Sequence, residues 1–357
     1  MERKIGSVRL MLTFAGCFLG AGYVSGQELW QYFGAFGTMG LAGLAAALVL
    51  LGCACVLLLR LSARTGIDAV DALLIRADVP WLRTAVGCIA AALMFGITCV
   101  MVAGIGAMLE QMLAVPLWLG GAAATVLIAA CAYFGLGGMV AVFSVAVPCL
   151  VIAAAAISGV QLRQAGLGAV RFTGGAENPM LGSWLSSAVN YAALNFFASI
   201  GILAPLAAQL RKKSAAGWGV LGGSAMLLLV ALGILCALAT APQSVTAELP
   251  MLDLSCRLGA AVGAIYAVLL FLGMFGTAVS SLVAVLTYAG QKAQTLQKHR
   301  FALLLALAAL AFTGSLFGFG DLIGVVYPVY GYFGAAAILL VAEHAICEKR
   351  KESALHD

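Results

Sequence analysis

The chain has 357 residues, of which 64% are hydrophobic and only 9% are charged. Soluble domains carry about 25% charged residues, so this composition excludes a soluble multi-domain enzyme. The net charge of +5 comes from 19 Lys and Arg against 14 Asp and Glu, and it excludes disordered, collagen-like and nucleic-acid-binding classes. An all-α integral membrane protein remains, and at roughly 20 apolar residues per span the length allows about ten spans.

Apolar runs between charged or Gly/Pro breaks predict ten transmembrane helices. In chain order their approximate limits are 6–34, 37–60, 84–109, 114–134, 137–160, 184–209, 217–241, 257–289, 301–318 and 320–346. The division between the fourth and fifth spans depends on the glycine-rich residues 135–138. We expect a single transmembrane domain over residues 1–357.

The distribution of basic residues supports this count. With the N-terminus in the cytoplasm, all but three of the 19 Lys and Arg residues fall in cytoplasmic segments. The exceptions are Arg163, Arg171 and Arg257. A miscounted span would scramble this division, so both termini are predicted to be cytoplasmic.

The connecting segment 61–83 is expected to form a short amphipathic helix, and the glycine-rich segment 161–183 is expected to cap the outer entrance.

The chain offers no catalytic set and no Cys/His metal-binding set inside the spans. Eight of the ten cysteines lie within apolar runs, where Cys behaves as a small hydrophobe, and the three histidines lie at or beyond span ends. Among the acidic and basic residues, only Glu28 is placed well inside a span. The predictions are that the protein is not an enzyme and carries no cofactor.

The first span holds polar groups that a simple lipid-spanning helix would not contain. Residues 13–28 include four glycines, Gln27 and Glu28. The glycines alone fit close helix packing, because they form pairs spaced four residues apart. Packing does not explain Glu28, since a carboxylate within a span costs about 2.5–3.5 kcal/mol and marks a water-filled cavity or a substrate path. We expect the helix to break at 20–22, where a cavity or ligand would meet the exposed backbone.

The sixth span repeats this pattern in the second half of the chain. Its Ser199 to Gly201 segment lies about half a chain length after the first break. Two polar, glycine-interrupted helices in corresponding positions indicate an inverted-repeat transporter. We therefore predict a five-plus-five inverted repeat, over about 6–160 and 184–346, with broken first and sixth helices. The second break is expected around 197–201.

The segment Phe18–Glu28, FLGAGYVSGQE, followed by FGAFG at 33–37, resembles the start of the YkvI-like bacterial membrane proteins. That resemblance implies the amino acid–polyamine–organocation superfamily, the LeuT fold and the cytoplasmic (inner) membrane of a bacterium. The similarity is specific in the first span and extends elsewhere only through the ten-span plan. It implies a fold and an alternating-access mechanism rather than a particular ligand.

The resemblance also implies a sodium site between the first and eighth spans. The matching positions are the carbonyls of Gly16, Leu19 and Thr277 and the hydroxyls of Ser280 and Ser281. Five neutral oxygens suit a hard monovalent cation. Ser and Thr in membrane helices also bond back to their own turn or join helices, which is the alternative interpretation of these hydroxyls.

The substrate is expected at the break of the first span. After Gly20, the amides of Ala21 and Gly22 would begin the outer half-helix, whose positive end suits a carboxylate. The other substrate-binding residues are predicted to be Asn195, Phe197, Ser199 and Tyr327. No Arg or Lys falls in this pocket, whereas a dianion would need one. The predicted cargo is therefore a small zwitterion or amine-bearing solute such as an amino acid.

Glu28 lies six residues beyond Gly22, which is about 9 Å outward along a continuous helix. It can attract an amine, carry a proton or line a wet vestibule, and these roles remain open. The predicted function is sodium-coupled symport. The alternatives are a proton-coupled carrier that uses Glu28 and a non-transporting ligand sensor. The predicted partners are the solute and the lipid bilayer, with no nucleic acid.

Overall fold

The computed structural model describes residues 6–67, 69–76, 79–134, 139–175, 177–210 and 213–356. Within these ranges the secondary structure is helical, as the composition predicts. In chain order the α-helices are α1 (Ser7–Phe18), α2 (Ala21–Ser25), α3 (Gln27–Tyr32), α4 (Thr38–Thr65), α5 (Val70–Leu74), α6 (Pro80–Leu113), α7 (Leu117–Phe134), α8 (Met139–Ala165), α9 (Trp184–Ala207), α10 (Lys213–Ala239), α11 (Pro242–Val245), α12 (Pro250–Leu258), α13 (Ala260–Lys292), α14 (Gln294–Lys298), α15 (Arg300–Ser315) and α16 (Phe319–His356).

Eight of these helices are long and apolar enough to cross a membrane, namely α4, α6, α7, α8, α9, α10, α13 and α16. The two remaining spans of the ten-helix plan correspond to shorter helices. The first is divided among α1, α2 and α3, and the ninth is the 16-residue α15. The described helices are therefore consistent with ten spans.

The first span is interrupted at the predicted place, at Gly20, and again six residues later, at Gly26. Helix α1 ends at Phe18 and α2 begins at Ala21, with Gly20 between them in an extended conformation at φ −85° and ψ 178°. Helix α2 ends because Gly26 adopts the left-handed conformation, at φ +83°. An alanine is strained there, and its Cβ would lie 2.9 Å from a methyl carbon of Leu238.

The break predicted around 197–201 in the sixth span is wrong. Helix α9 is continuous from Trp184 to Ala207. The polar side chains that suggested an interruption bond within the helix instead. The Asn195 side-chain amide donates to the Tyr191 carbonyl at 2.9 Å, and the Ser199 hydroxyl donates to the Phe196 carbonyl at 2.8 Å. Polar groups satisfied by their own turn do not require the backbone to unwind.

Helix α9 packs between α4 and α16, and glycines allow the close approach to α16. A Cβ at Gly334 of α16 would overlap the backbone carbonyl of Ala193, and a Cβ at Gly331 would overlap the side chain of Asn190. Small residues at such contacts bring membrane helices together. This packing holds the middle of α16 against the polar part of α9, beside the broken first span.

Several connecting segments differ from the prediction. The helix expected over 61–83 reduces to the five residues of α5, because α4 continues to Thr65 and Pro80 begins α6. The start of the predicted eighth span belongs to the separate helix α12, and α13 begins only after Gly259. The break predicted at 135–138 lies outside the described residues, as do the basic residues Arg3, Lys4, Arg211 and Lys212.

Candidate functional site

The candidate site lies at the interruption of the first span, facing α9 and α16. Since Gly26 turns the chain in the left-handed conformation, α3 does not continue the axis of α2. The Glu28 side chain consequently returns to Gly22. A Cβ at Gly22 would lie 2.7 Å from Glu28 Oε2 and 3.2 Å from the Tyr327 hydroxyl. The Glu28 carboxyl group therefore lies at the break, although six residues separate Glu28 from Gly22 in the sequence.

Glu28 is a buried carboxyl group surrounded by phenols. Its side chain is only 6% exposed. Tyr191 interacts with the carboxyl directly, and Tyr23, Tyr32 and Tyr327 lie within electrostatic reach. Among the residues that the structure describes, no Arg, Lys or His pairs with Glu28. A buried carboxyl without a counter-cation is kept neutral or is paired with a cation from outside the chain.

The phenols around Glu28 are fixed to different degrees. The Tyr23 hydroxyl donates to the Leu227 carbonyl at 2.7 Å, and the Tyr32 hydroxyl donates to Asn190 Oδ1 at 3.0 Å. The Tyr191 hydroxyl is buried and has no well-aligned hydrogen-bond partner. The ring of Tyr191 is held edge-on against Tyr32, at 5.2 Å between centroids. The Tyr191 hydroxyl therefore lies next to the Glu28 carboxyl group without a well-aligned hydrogen bond to hold it in place.

Asn190 connects the three elements that enclose the site. Its Oδ1 accepts from Tyr32 at the end of α3, while its Nδ2 donates to the Pro328 carbonyl of α16 at 2.9 Å. The neighbouring Ser187 donates to the Tyr32 carbonyl at 2.6 Å. One face of α9 therefore sets the position of α3 and of the α16 turn that carries Tyr327.

From the end of α3 onward, polar side chains contact the start of α16. Gln31 Nε2 donates to the Gly320 carbonyl at 2.9 Å, and Glu248 Oε2 accepts from the Gly320 amide at 2.6 Å. Asn178 Nδ2 donates to the Gly324 carbonyl at 2.6 Å. The glycine-rich segment lies over the end of the first span, where the Gly175 amide donates to the Ala35 carbonyl at 3.0 Å.

The predicted substrate residues do not all face this site. Gly22 and Tyr327 meet at the Glu28 carboxyl. Gly20 borders open space, because a Cβ there would meet nothing within 4 Å. Ser199 is directed towards α4, with its hydroxyl 3.8 Å from Cys55 Sγ, and Phe197 is half-buried. Asn195 is occupied by its bond to Tyr191.

Helix α13 runs beside the first break. The Tyr266 hydroxyl donates to the Val24 carbonyl at 2.5 Å. Two turns along α13, a Cβ at Gly273 would lie 3.5 Å from Ala21 Cβ. The next residues along α13 are those of the predicted site. Thr277 and Ser280 donate within their own helix, to Gly273 and Gly276 respectively, whereas Ser281 is buried.

Sequence reasoning missed the residues that bring Glu28 to the break. Gly22 and Gly26 are spaced as a helix-packing pair. A glycine directly before two polar residues, here Gln27 and Glu28, also fits a left-handed turn. Tyr191 follows Asn190 in a span whose sequence is unusually polar. Its phenol group is the sequence feature that could have identified it as a site residue. Glu248 lies in a connecting segment that carried no predicted element.

Comparison with family models finds no match to the chain. Curated relatives cover nearly the whole length. The chain is 25% identical over 343 residues to the membrane protein YkvI of Bacillus subtilis, covering 95% of this chain and 96% of YkvI. It is 26% identical over 363 residues to YyaD of the same organism, covering 96% of this chain and 98% of YyaD. The resemblance to YkvI-like proteins is thereby confirmed.

Solved structures share the fold at low sequence identity. MhsT in complex with L-phenylalanine superposes with a TM-score of 0.64 at 19% identity, covering 95% of this chain and 89% of MhsT. Inward-facing Mhp1 gives a TM-score of 0.62 at 14% identity, covering 95% of this chain and 76% of Mhp1. A manganese transporter of Eremococcus coleocola gives 0.54 at 14% identity, covering 95% and 78% of the two chains. The LeuT fold that the sequence predicted is confirmed by these structures.

Proposed function

We propose that this YkvI-like membrane protein with the LeuT fold is a secondary active transporter. It carries a small amine-bearing or zwitterionic solute across the bacterial cytoplasmic membrane by alternating access, coupled to sodium. The observation that carries the proposal is the buried Glu28 carboxyl, which lies at the interruption of the first span without a basic partner in the described residues. The shared fold of MhsT and Mhp1 supports a transport mechanism.

The surroundings of Glu28 favour a cation as the ligand. A carboxyl placed inside a membrane protein is a functional-site hypothesis by default, because burying it unpaired is unfavourable. The hydroxyl groups of Tyr191 and Tyr327 lie beside the carboxyl group, and their oxygens can accept hydrogen bonds from an ammonium group. An amine-bearing solute would complete this site from outside the chain.

Sodium coupling is supported by the register of α13. The contacts of Tyr266 with Val24 and of Gly273 with Ala21 bring α13 alongside the break, and the following turns carry Thr277 and Ser281. Neutral carbonyl and hydroxyl oxygens of this kind suit a monovalent cation. The five proposed ligands are Gly16, Leu19, Thr277, Ser280 and Ser281.

Replacing Ser281 by alanine is expected to weaken sodium-dependent solute binding about tenfold without unfolding the protein, because it removes one neutral ligand from about five. Binding is measured on purified protein over a sodium titration, with potassium as the reference ion. Ser315→Ala is the matched control, since that buried hydroxyl bonds to Phe312 within α15. Equal sodium dependence in Ser281→Ala and wild type would contradict the assignment.

A proton-coupled carrier is the second candidate, because Glu28 is buried and its neighbours are phenols rather than bases. Uptake into proteoliposomes distinguishes the two. Sodium symport predicts accumulation that follows a sodium gradient at constant pH. Accumulation that follows a pH gradient in sodium-free buffer instead supports a proton carrier that uses Glu28.

The same uptake experiment tests transport itself. We expect protein-dependent accumulation of at least one amine or amino acid above the level in protein-free liposomes. A solute that binds tightly and never enters the vesicles would support the third possibility, a ligand sensor built on a transporter scaffold.

A further inference from the structure

We propose that the groove between α4 and α10 binds one anionic phospholipid of the surrounding membrane, with the lipid phosphate at Arg60. The groove has a volume of about 900 Å³ and is lined by residues of both helices. The residues that line it include none of those around Glu28. The proposal therefore goes beyond the transport function and does not depend on it.

The two walls of the groove end together at Arg60. The lining residues run over 45–60 of α4 and over 214–228 of α10. Midway along both walls the helices touch, because a Cβ at Gly52 would lie 3.5 Å from a methyl carbon of Val220. In the ten-span plan these helices are the second and seventh spans, which cross the membrane in opposite directions. Arg60, the last lining residue of α4, consequently lies at the same end as Ser214, the first of α10.

The length of the groove matches one leaflet of a bilayer. At a rise of about 1.5 Å per residue, each wall is roughly 21 to 22 Å long. Half of a bilayer measures about 15 Å of hydrocarbon, and about 20 to 22 Å with its headgroup region. The groove is therefore as long as a single phospholipid whose headgroup lies at one end.

The charge of the groove is confined to the end at Arg60. Arg60 is the only charged residue among the described lining residues, and the greater part of the lining is aliphatic. Its side chain is exposed, and no hydrogen bond or ion pair holds it within the part of the chain that the structure describes. A guanidinium group binds phosphate oxygens in a bidentate manner. A phosphate at Arg60 with an acyl chain along the walls would match both parts of the groove.

Trp218 indicates that this end lies at the lipid headgroups. It follows Ser214 by one helical turn and is 69% exposed. Tryptophan is enriched where membrane helices pass through the headgroup region. The distribution of basic residues predicts that this side is cytoplasmic, and anionic lipids of the cytoplasmic leaflet attract Arg and Lys there.

A second copy of the chain fits the groove less well than a lipid does. A symmetric dimer formed through the groove would bring its lining against the same lining of the other copy. Among the described lining residues there is no Asp or Glu that could pair with Arg60. A phospholipid supplies both the anion and the apolar chain.

Native mass spectrometry of the purified full-length protein in a neutral detergent tests the proposal. Dioleoylphosphatidylglycerol is compared with dioleoylphosphatidylcholine, which has the same acyl chains and no net charge, and with glycerol phosphate, which has no acyl chain. We expect one phosphatidylglycerol to bind about tenfold more tightly than phosphatidylcholine, because a charge-assisted hydrogen bond corresponds to such a factor. Glycerol phosphate should not bind measurably.

Three variants separate the headgroup contact from the acyl-chain contact. Arg60→Gln should bind the two lipids equally. Arg300→Gln changes another exposed arginine, at the start of α15, and should keep the preference. Ala225→Phe fills the groove from an exposed position and should weaken the binding of both lipids. All three variants should unfold near the wild-type temperature in lipid-free detergent, because the replaced side chains are exposed.

Four results would overturn the proposal and leave the proposed transport function standing, since no solute is involved. The first is equal binding of the two lipids by wild type. The second is a preference lost equally in Arg300→Gln, which would indicate a general attraction to basic residues. The third is glycerol phosphate binding as tightly as the lipid. The fourth is a lipid-free dimer that Ala225→Phe dissociates, which would assign the groove to a second copy.

Discussion

Replacing Gly334 by alanine is expected to prevent stable folding, with a loss of about 3 kcal/mol or more. A Cβ at this position of α16 would overlap the backbone carbonyl of Ala193 in α9, and backbone cannot move aside as a side-chain end can. The two helices would have to separate, and the Asn190 bond to Pro328 would be lost with them. The yield of monodisperse protein and its thermal unfolding midpoint measure the effect.

Gly159→Ala is the matched control for this substitution. Gly159 also lies in a membrane helix, but an added Cβ would meet nothing within 4 Å. Alanine favours helix over glycine by about 1 kcal/mol, so the control should be neutral or slightly stabilising. A Gly334→Ala protein as stable as the control would show that α9 and α16 do not meet as described.

Replacing Gly22 by alanine is expected to weaken solute binding about tenfold to a hundredfold in a protein that still folds. The new Cβ would lie 2.7 Å from Glu28 Oε2 and 3.2 Å from the Tyr327 hydroxyl. Both are ends of side chains, so they can move, and the carboxyl is displaced without unfolding the chain. Loss of one charge-assisted hydrogen bond, worth about 1.5–3 kcal/mol, corresponds to roughly tenfold to hundredfold weaker binding.

The measurement pairs ligand calorimetry with thermal unfolding on the same samples. An unfolding midpoint close to that of wild type, together with lost binding, supports a positional effect on Glu28. Unchanged binding in Gly22→Ala would mean that Gly22 and Glu28 are not neighbours in the ligand-binding state. Gly159→Ala again provides the reference for a tolerated glycine substitution.

The span plan could be predicted from the sequence because it depends on composition. Runs of about 20 apolar residues are the signature of membrane helices. The interruption at Gly20 was also predictable, because glycines combined with a carboxylate have few explanations inside a span. These features are local, and each can be recognised within one segment.

The geometry of the site could not be predicted in the same way. Whether Asn195 and Ser199 interrupt α9 or bond to its own carbonyls depends on the neighbours of the helix, and the sequence pattern is identical in both cases. The position of Glu28 depends on the left-handed backbone conformation of Gly26, which separates α2 from α3. Residues brought together by such a turn, or by contacts between distant spans, have no fixed spacing in the sequence.

Charge movement on solid-supported membranes tests most directly the central claim, that the Glu28 site carries an amine-bearing solute across the membrane with sodium. Proteoliposomes are exposed to phenethylamine or butylamine in sodium buffer, with protein-free vesicles and Glu28→Gln as references. Symport of sodium with a cation predicts a saturable inward current that disappears without sodium and in Glu28→Gln. Amine binding without any current, or a current of equal size in Glu28→Gln, would contradict this account.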